Sequence, residues 1–237
     1  MYVDLNPKPA TALSNLPQYA LKDKDGKDFK KVKIYTPALQ NGLQLKNTRP
    51  GDKQELPRQR KRITLKFEEV SDVQRMTALD VVKDYDIVAA EAVTAKVFQF
   101  LCEQAEIDLI TFDITSRLPF QIKRPWIVAA AKRGVYFEIT YTPCLEDTTG
   151  RRYFFSNARN LVRLTGGKNL VFSSCATRDI LLRSPYDVVN LGLLSGLKYS
   201  QALDAISTSC LAVLDHADKR RGISGGVQVE ITEDIAQ

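Results

Sequence analysis

Histidine is nearly missing from this 237-residue chain: His216 is the only one. That scarcity weighs against hydrolases that gather several imidazoles around two or three metal ions. No stretch approaches the roughly eighteen consecutive apolar residues that a membrane-spanning helix needs, so no membrane partner is expected. The first residues, MYVDLNPKP, lack the charged-then-apolar order of a secretory signal. Cysteine is sparse and scattered. Cys102, Cys144, Cys175 and Cys210 lie at least thirty residues apart, which gives neither zinc spacing nor a dense disulfide framework. They read as reduced, packed cysteines of an intracellular protein. A phosphate loop is also lacking, because Gly166-Gly167-Lys168 has no earlier glycine and no following Ser or Thr. It reads as a helix cap and turn.

Positive charge is plentiful but local. The net charge is +6, yet thirteen Lys/Arg against five Asp/Glu between Lys22 and Arg62 give that segment +8. The remainder therefore carries −2. Such a segment points to a polyanionic partner, RNA first.

Apolar periodicity sorts the rest. Tyr2 to Leu5 suits a short strand stopped by Pro7 and Pro9, and Leu21 to Arg60 reads as mostly loop, with Val32 to Tyr35 an extended piece. From Ile63 a strand–helix alternation begins: Ile63–Phe67 and Ile87–Ala90 as strands, with a helix from Ser71 or Asp72 to near Val82 between them. A helix with Val93, Val97, Phe100, Leu101 and Ala105 on one face follows. Leu109–Ile114, Val135–Tyr141 and Leu170–Ser173 read as further strands. Helices are expected from Pro125 to Gly134 and from Asn157 to Thr165, and a final one is lined by Leu203, Ile206, Cys210 and Val213. Short strand–helix–strand spacing predicts parallel pairing with helices outside, hence a barrel rather than an open doubly wound sheet. One domain of residues 1–221 is expected, with residues 21–62 basic and irregular and 222–237 a frayed acidic tail.

The most specific stretch is GKNLVFSSCATRDILLRSPYDVVNLGLLSGL, from Gly167 to Leu197. A strand, Leu170 to Phe172, leads through a polar loop with Arg178 and Arg183 into a helix. Ser184 suits its N-cap, Pro185 the first helical position and Asp187 the positive end of the dipole. Val188, Val189, Leu191, Leu193 and Leu194 surround that helix, which predicts burial on more than one side. With FDITSRLPFQIKRP (Phe112–Pro125), AAAKRGVYFEITYTP (Ala129–Pro143) and GRRYFFSNARNLVRLTGGKN (Gly150–Asn169), this stretch resembles the thirty-kilodalton protein subunit family of ribonuclease P and ribonuclease MRP. The likeness is close to continuous from Ile63 to Arg221.

The resemblance implies an α/β, TIM-barrel-like fold of the polymerase-and-histidinol-phosphatase type. The family usually has a helix and a second apolar strand soon after the first strand. Between Asn6 and Tyr35 this chain shows neither, which implies a distorted or incomplete barrel. It also implies a non-catalytic, RNA-binding subunit of a nuclear and nucleolar ribonucleoprotein that removes the 5′ leader of precursor tRNA and serves rRNA processing. Catalysis would belong to the RNA, with no protein cofactor. Its partners would be that catalytic RNA, a small ferredoxin-like subunit with the other subunits, and precursor tRNA indirectly.

The residues give their own candidates. Arg58, Arg60, Lys61 and Arg62 end the basic segment; Lys123 and Arg124 follow a strand; Arg151 and Arg152 precede a helix; Arg178 and Arg183 flank the last loop. All are candidate phosphate contacts, and Phe120, Tyr153 and Phe154 beside them are candidates for stacking on unpaired bases. Pro185, Tyr186, Asn190, Leu193 and Leu194 are the candidate subunit interface. The competing class is a metal-dependent phosphoesterase on the same barrel, with Asp4-Leu-Asn6, Asp113 and Glu138 as remnants of its site. A small-molecule barrel enzyme lacks a recognisable nucleophile and base. For Asp113 and Glu138 the plainer expectation is pairing with an arginine; for His216 it is stabilisation of a helix C-terminus.

Overall fold

The computed structural model describes residues 32–35, 60–77, 79–224 and 227–228. Its centre is a six-stranded sheet in the order β1 (Val32–Tyr35), β2 (Arg62–Phe67), β3 (Ile87–Ala92), β4 (Leu109–Thr111), β5 (Tyr136–Thr140) and β6 (Leu170–Ser173). The strands β2 to β6 are all parallel, and β1 adds to β2 antiparallel. Spatial order equals sequence order, so each crossover steps the same way. That is barrel winding, without the reversal of a doubly wound sheet. Among the described residues no strand pairs beyond β6, as an incomplete barrel requires.

Alternation along the strands divides the side chains between two faces. Outward go Ile63, Leu65, Phe67, Val88, Ala90, Ile110, Phe137, Ile139 and Phe172, all in the main apolar core. The helices that complete it are α1 (Val70–Thr77), α3 (Ala95–Glu103), α4 (Arg124–Lys132), α6 (Thr148–Thr165), α7 (Pro185–Leu194) and α8 (Tyr199–Ile206). Two short helices, α2 (Asp80–Lys83) and α5 (Thr142–Glu146), complete the connections. Inward, Ile87, Ala89, Leu109 and Val171 form a smaller core with Cys210, Val213 and Ala217 of α9 (Thr208–Arg220).

The expected single final helix is two helices. Ser207, at φ −132° and ψ −84°, separates α8 from α9. Ala202, Ala205 and Ile206 pack in the outer core, whereas Cys210 and Val213 pack in the inner one. The chain turns there from the convex to the concave side of the sheet. Ionic contacts then fix α9 across the N-terminal mouth. Buried Asp108 accepts from Arg220 Nη2 at 3.0 Å, from the Val88 N–H at 2.8 Å, and lies 2.9 Å from His216 Nδ1. Asp86 pairs with Arg60 and Arg221, and Asp218 with Arg60.

Other boundaries move too, and the helix expected from Ser71 or Asp72 to near Val82 is likewise two, α1 and α2. The helix expected from Asn157 begins at Thr148, where the Asp147 carboxylate caps the N–H groups of Thr149 and Gly150. Strand β4 stops at Thr111, and β3 runs on to Ala92. Past α9 a ribbon of β7 (Ile223–Ser224) and β8 (Val227–Gln228) stands where a frayed tail is expected. The readings at Tyr2–Leu5, at Asp4-Leu-Asn6 and over most of residues 21–59 lie outside the described residues.

Candidate nucleic-acid interface and barrel mouth

The concave face is apolar under α9 and polar toward the C-terminal strand ends. At its centre the Arg62 guanidinium donates to Glu138 Oε1 at 2.5 Å and Oε2 at 2.7 Å. These residues belong to β2 and β5, three strand steps apart, a span of about 14 Å in a flat sheet. Only strong curvature lets one bidentate pair cross it. Arg62 Nε donates to Thr64 Oγ1 at 3.1 Å, and Ser173 Oγ donates to Glu138 at 2.7 Å. Arg62 is 1% exposed and Glu138 0%. Burial pushes the Glu138 carboxyl up, but the Arg62 charge and bonds from Arg62, Ser173 and Thr111 outweigh it and hold it below the ordinary carboxylate range.

Arg62 is therefore not a phosphate contact: buried inside the barrel, it faces no solvent. Arg60 is committed to Asp86 and Asp218 at the N-terminal mouth, where Lys61 is exposed and its N–H donates to Asp86 at 2.7 Å. Arg58 lies outside the described residues.

Above the Arg62–Glu138 pair opens a cavity of about 250 Å³, lined chiefly by Thr64, Lys66, Glu91, Thr111, Asp113 and Thr140. Lys66 Nζ donates to Glu91 at 2.5 Å. Asp113 accepts from the Thr115 N–H at 2.9 Å and its hydroxyl at 2.6 Å. Burial raises its carboxyl; bonds from Thr115 and Ser116 and the nearby Lys66 charge outweigh this and lower it. Glu138 thus pairs with an arginine as expected, whereas Asp113 is held by hydroxyl and amide donors. His216 sits at the other mouth, between Asp108 and the Arg133 carbonyl. Among the described residues no three His, Cys, Asp or Glu side chains are grouped to hold a metal ion.

Six candidate cations share the C-terminal rim. Lys123 and Arg124 stand at the start of α4, after β4; Arg151 and Arg152 lie in the first turns of α6, after β5, and not before the helix; Arg178 and Arg183 follow β6. Phe98 anchors the β4–α4 loop, its ring 5.2 Å from Phe120 and 6.0 Å from Trp126. Lys123 Nζ lies 5.2 Å from the Trp126 ring. Arg151 Nε donates to the Cys144 carbonyl at 3.0 Å, and Arg178 pairs with Glu146 at 3.2 Å. Arg183 Nη1 donates to the Ile180 and Leu182 carbonyls, steadying its own loop. Phe154 is core, Phe120 half-buried and Tyr153 exposed.

Helix α7 is capped as expected, with Ser184 Oγ accepting the Asp187 N–H. Its burial on several sides is not found. Val188, Val189 and Gly192 face inward, where a Cβ on Gly192 would lie 2.9 Å from Ala202 Cβ. Pro185 and Asn190 are exposed, as are Tyr186 at 69%, Leu193 at 39% and Leu194 at 68%. Sequence reasoning missed Asp86, Asp108, Asp218 and Arg220; a charged residue just before an apolar strand was the available signal for Asp86 and Asp108, whereas Asp218 and Arg220 lie in the last helix.

The family model described as RNase P subunit p30 matches residues 12–222. A Mus musculus relative, ribonuclease P protein subunit p30, is 44% identical over 144 residues, 61% of this chain and 54% of that protein. The probable ribonuclease P protein subunit 3 of Schizosaccharomyces pombe is 35% identical over 160 residues, 68% of this chain and 67% of that one. The chain thus spans about half the length of the mouse relative. In fold it is similar to a chain from a cryo-EM structure of archaeal ribonuclease P with mature tRNA, at TM-score 0.57 and 18% identity, covering 73% of this chain and 76% of that one. With a parallel, singly wound barrel and a family match from residue 12 to residue 222, this chain belongs to the RNase P subunit p30 family.

Proposed function

We propose that the chain acts as a non-catalytic, RNA-binding protein subunit of the ribonuclease P ribonucleoprotein and of ribonuclease MRP, in the nucleus and nucleolus. It would support removal of the 5′ leader of precursor tRNA, and rRNA processing, with catalysis left to the RNA. The family match across residues 12–222 carries this reading. The donor set supports it: the Glu138 carboxylate is saturated by Arg62 and Ser173, and His216 is committed at the opposite mouth. A phosphoesterase needs such groups free for metal and water. The rim cations would hold RNA phosphates, and the exposed Tyr186, Leu193 and Leu194 would seat the small ferredoxin-like subunit.

Purification of the tagged chain from cells, followed by RNA sequencing and mass spectrometry, tests the assignment. The ribonuclease P and MRP RNAs and their protein subunits should co-purify, and their loss from the eluate would remove the reading. The chain alone, given precursor tRNA and Mg²⁺ or Mn²⁺, should cleave nothing. Turnover abolished by a folded Glu138→Gln variant would restore the phosphoesterase reading.

A further inference from the structure

The barrel mouth and its rim differ in charge. Within the cavity wall and floor Arg62 and Lys66 supply two positive charges, against three negative ones from Glu91, Asp113 and Glu138. Two ion pairs cancel, and the Asp113 carboxylate is left as the net charge of −1. A phosphate is therefore repelled from the interior. The groups that remain useful there are hydroxyls and a carboxylate: Thr64, Thr111, Thr115 and Thr140 in the wall, with Asp113 among them. Thr64 Oγ1 already accepts from Arg62 and so has its own proton to donate or orient. Asp113 accepts two bonds from Thr115 and one from Ser116, which leaves about one of its roughly four acceptor positions for a ligand. Around this interior stand Lys123, Arg124, Arg151, Arg152, Arg178 and Arg183. The pocket thus suits a neutral, hydroxyl-bearing group, and its rim suits phosphates. One polymer offers both at fixed spacing, a ribonucleic acid.

We propose that the barrel mouth is a pocket for one unpaired ribonucleoside of the bound RNA, with Asp113 accepting from its sugar hydroxyl and the rim cations holding the flanking phosphates. A carboxylate is the group that dinucleotide-binding folds place on a ribose 2′-hydroxyl, for the same chemical reason. The floor is preorganised, because the Arg62–Glu138–Ser173 bonds fix every polar group beneath the sugar. About 250 Å³ admits a single nucleoside and not a helix end. This inference rests on the RNA-binding reading above and adds to it a preference for RNA over DNA at one position.

Fluorescence anisotropy with the full chain measures it, using a labelled single-stranded RNA and the DNA of the same sequence. The wild-type chain should favour RNA by roughly tenfold, as expected of a hydrogen bond to a charged acceptor. Asp113→Asn keeps an oxygen for Thr115 but removes the charge; it should weaken RNA binding about tenfold and leave DNA binding unchanged. Thr140→Val should reduce the same preference, and melting curves should show all variants folded. Arg152→Gln, on the rim, should weaken RNA and DNA alike. Equal wild-type affinity for RNA and DNA, or equal losses for both in Asp113→Asn, would overturn the pocket while leaving the chain an RNA binder. Failure to bind RNA at all would overturn the pocket and its parent reading together.

Discussion

Arg62 shows how far a single residue's role depends on strand direction. In the sequence it closes the run Arg58, Arg60, Lys61, Arg62 and counts as one more cation. In the barrel, odd and even positions part, so Lys61 stays exposed while Arg62 turns inward onto Glu138. Arg62→Ala would leave a buried carboxylate unpaired and should destabilise the chain by about 3–5 kcal/mol in denaturant titration. The double change Arg62→Met with Glu138→Leu should recover most of that loss, because neither charge is then stranded. Acid adds a second signature. The folded Glu138 carboxyl lies below its unfolded value, so its contribution is complete above about pH 4.3 and disappears as pH falls through the folded value. The double variant should lose less stability than wild type across that acid window; parallel melts against pH decide it.

The thiols divide by burial. Burial pushes Cys102 up to about 12 and Cys144 up to about 11, so neither offers a thiolate near neutrality. Cys210 is also buried, and Cys175 alone among the four is half-buried. Native protein titrated with a chromogenic disulfide at pH 8 should show Cys175 reacting well ahead of the others. Rapid reaction of all four would mean that the core opens on the assay timescale.

At the scale of elements, the strands were legible because parallel strands covered on both faces read as continuous apolar runs. The capping signals at Ser184 and Pro185 were equally plain. The division of the last helix was not. Leu203, Ile206, Cys210 and Val213 keep helical spacing across Ser207, and no glycine or proline marks the turn there. Only the distinction between outer and inner cores shows that the first pair faces one side of the sheet and the second pair the other. Helix α7 failed for the opposite reason. Its leucines promise burial all round, yet an apolar side serves a partner as well as a core, and periodicity does not distinguish the two. Leu193→Asp should therefore move folding stability by only about 0.5 kcal/mol, as exposed substitutions do. Its effect belongs to assembly: pull-down of the ferredoxin-like subunit should fall, while thermal melts stay near wild type. A melted Leu193→Asp variant would return α7 to the core.

Across the whole molecule, charge is arranged by the two mouths of the barrel. At the N-terminal mouth Arg60, Arg220 and Arg221 are consumed by Asp86, Asp108 and Asp218, locking α9 in place. At the C-terminal mouth Arg124 and Arg152 are exposed, Arg124 in the first turn of α4 and Arg152 in the second turn of α6. The sequence presents Arg220 and Arg221 at the end of a helix and Arg124 and Arg152 beside the starts of others, and only the crossover direction assigns them to opposite mouths. A test follows from that division. If Arg124 and Arg152 each meet a phosphate of single-stranded RNA, changing both to Gln should flatten the slope of log affinity against log salt by roughly 1.4, two contacts at about 0.7 each. Lys219→Gln is the control, since Lys219 is exposed but ends α9 at the other mouth. It should leave the slope unchanged. Equal flattening by both variants would mean that RNA is attracted by net charge alone, and that the rim has no special claim on it.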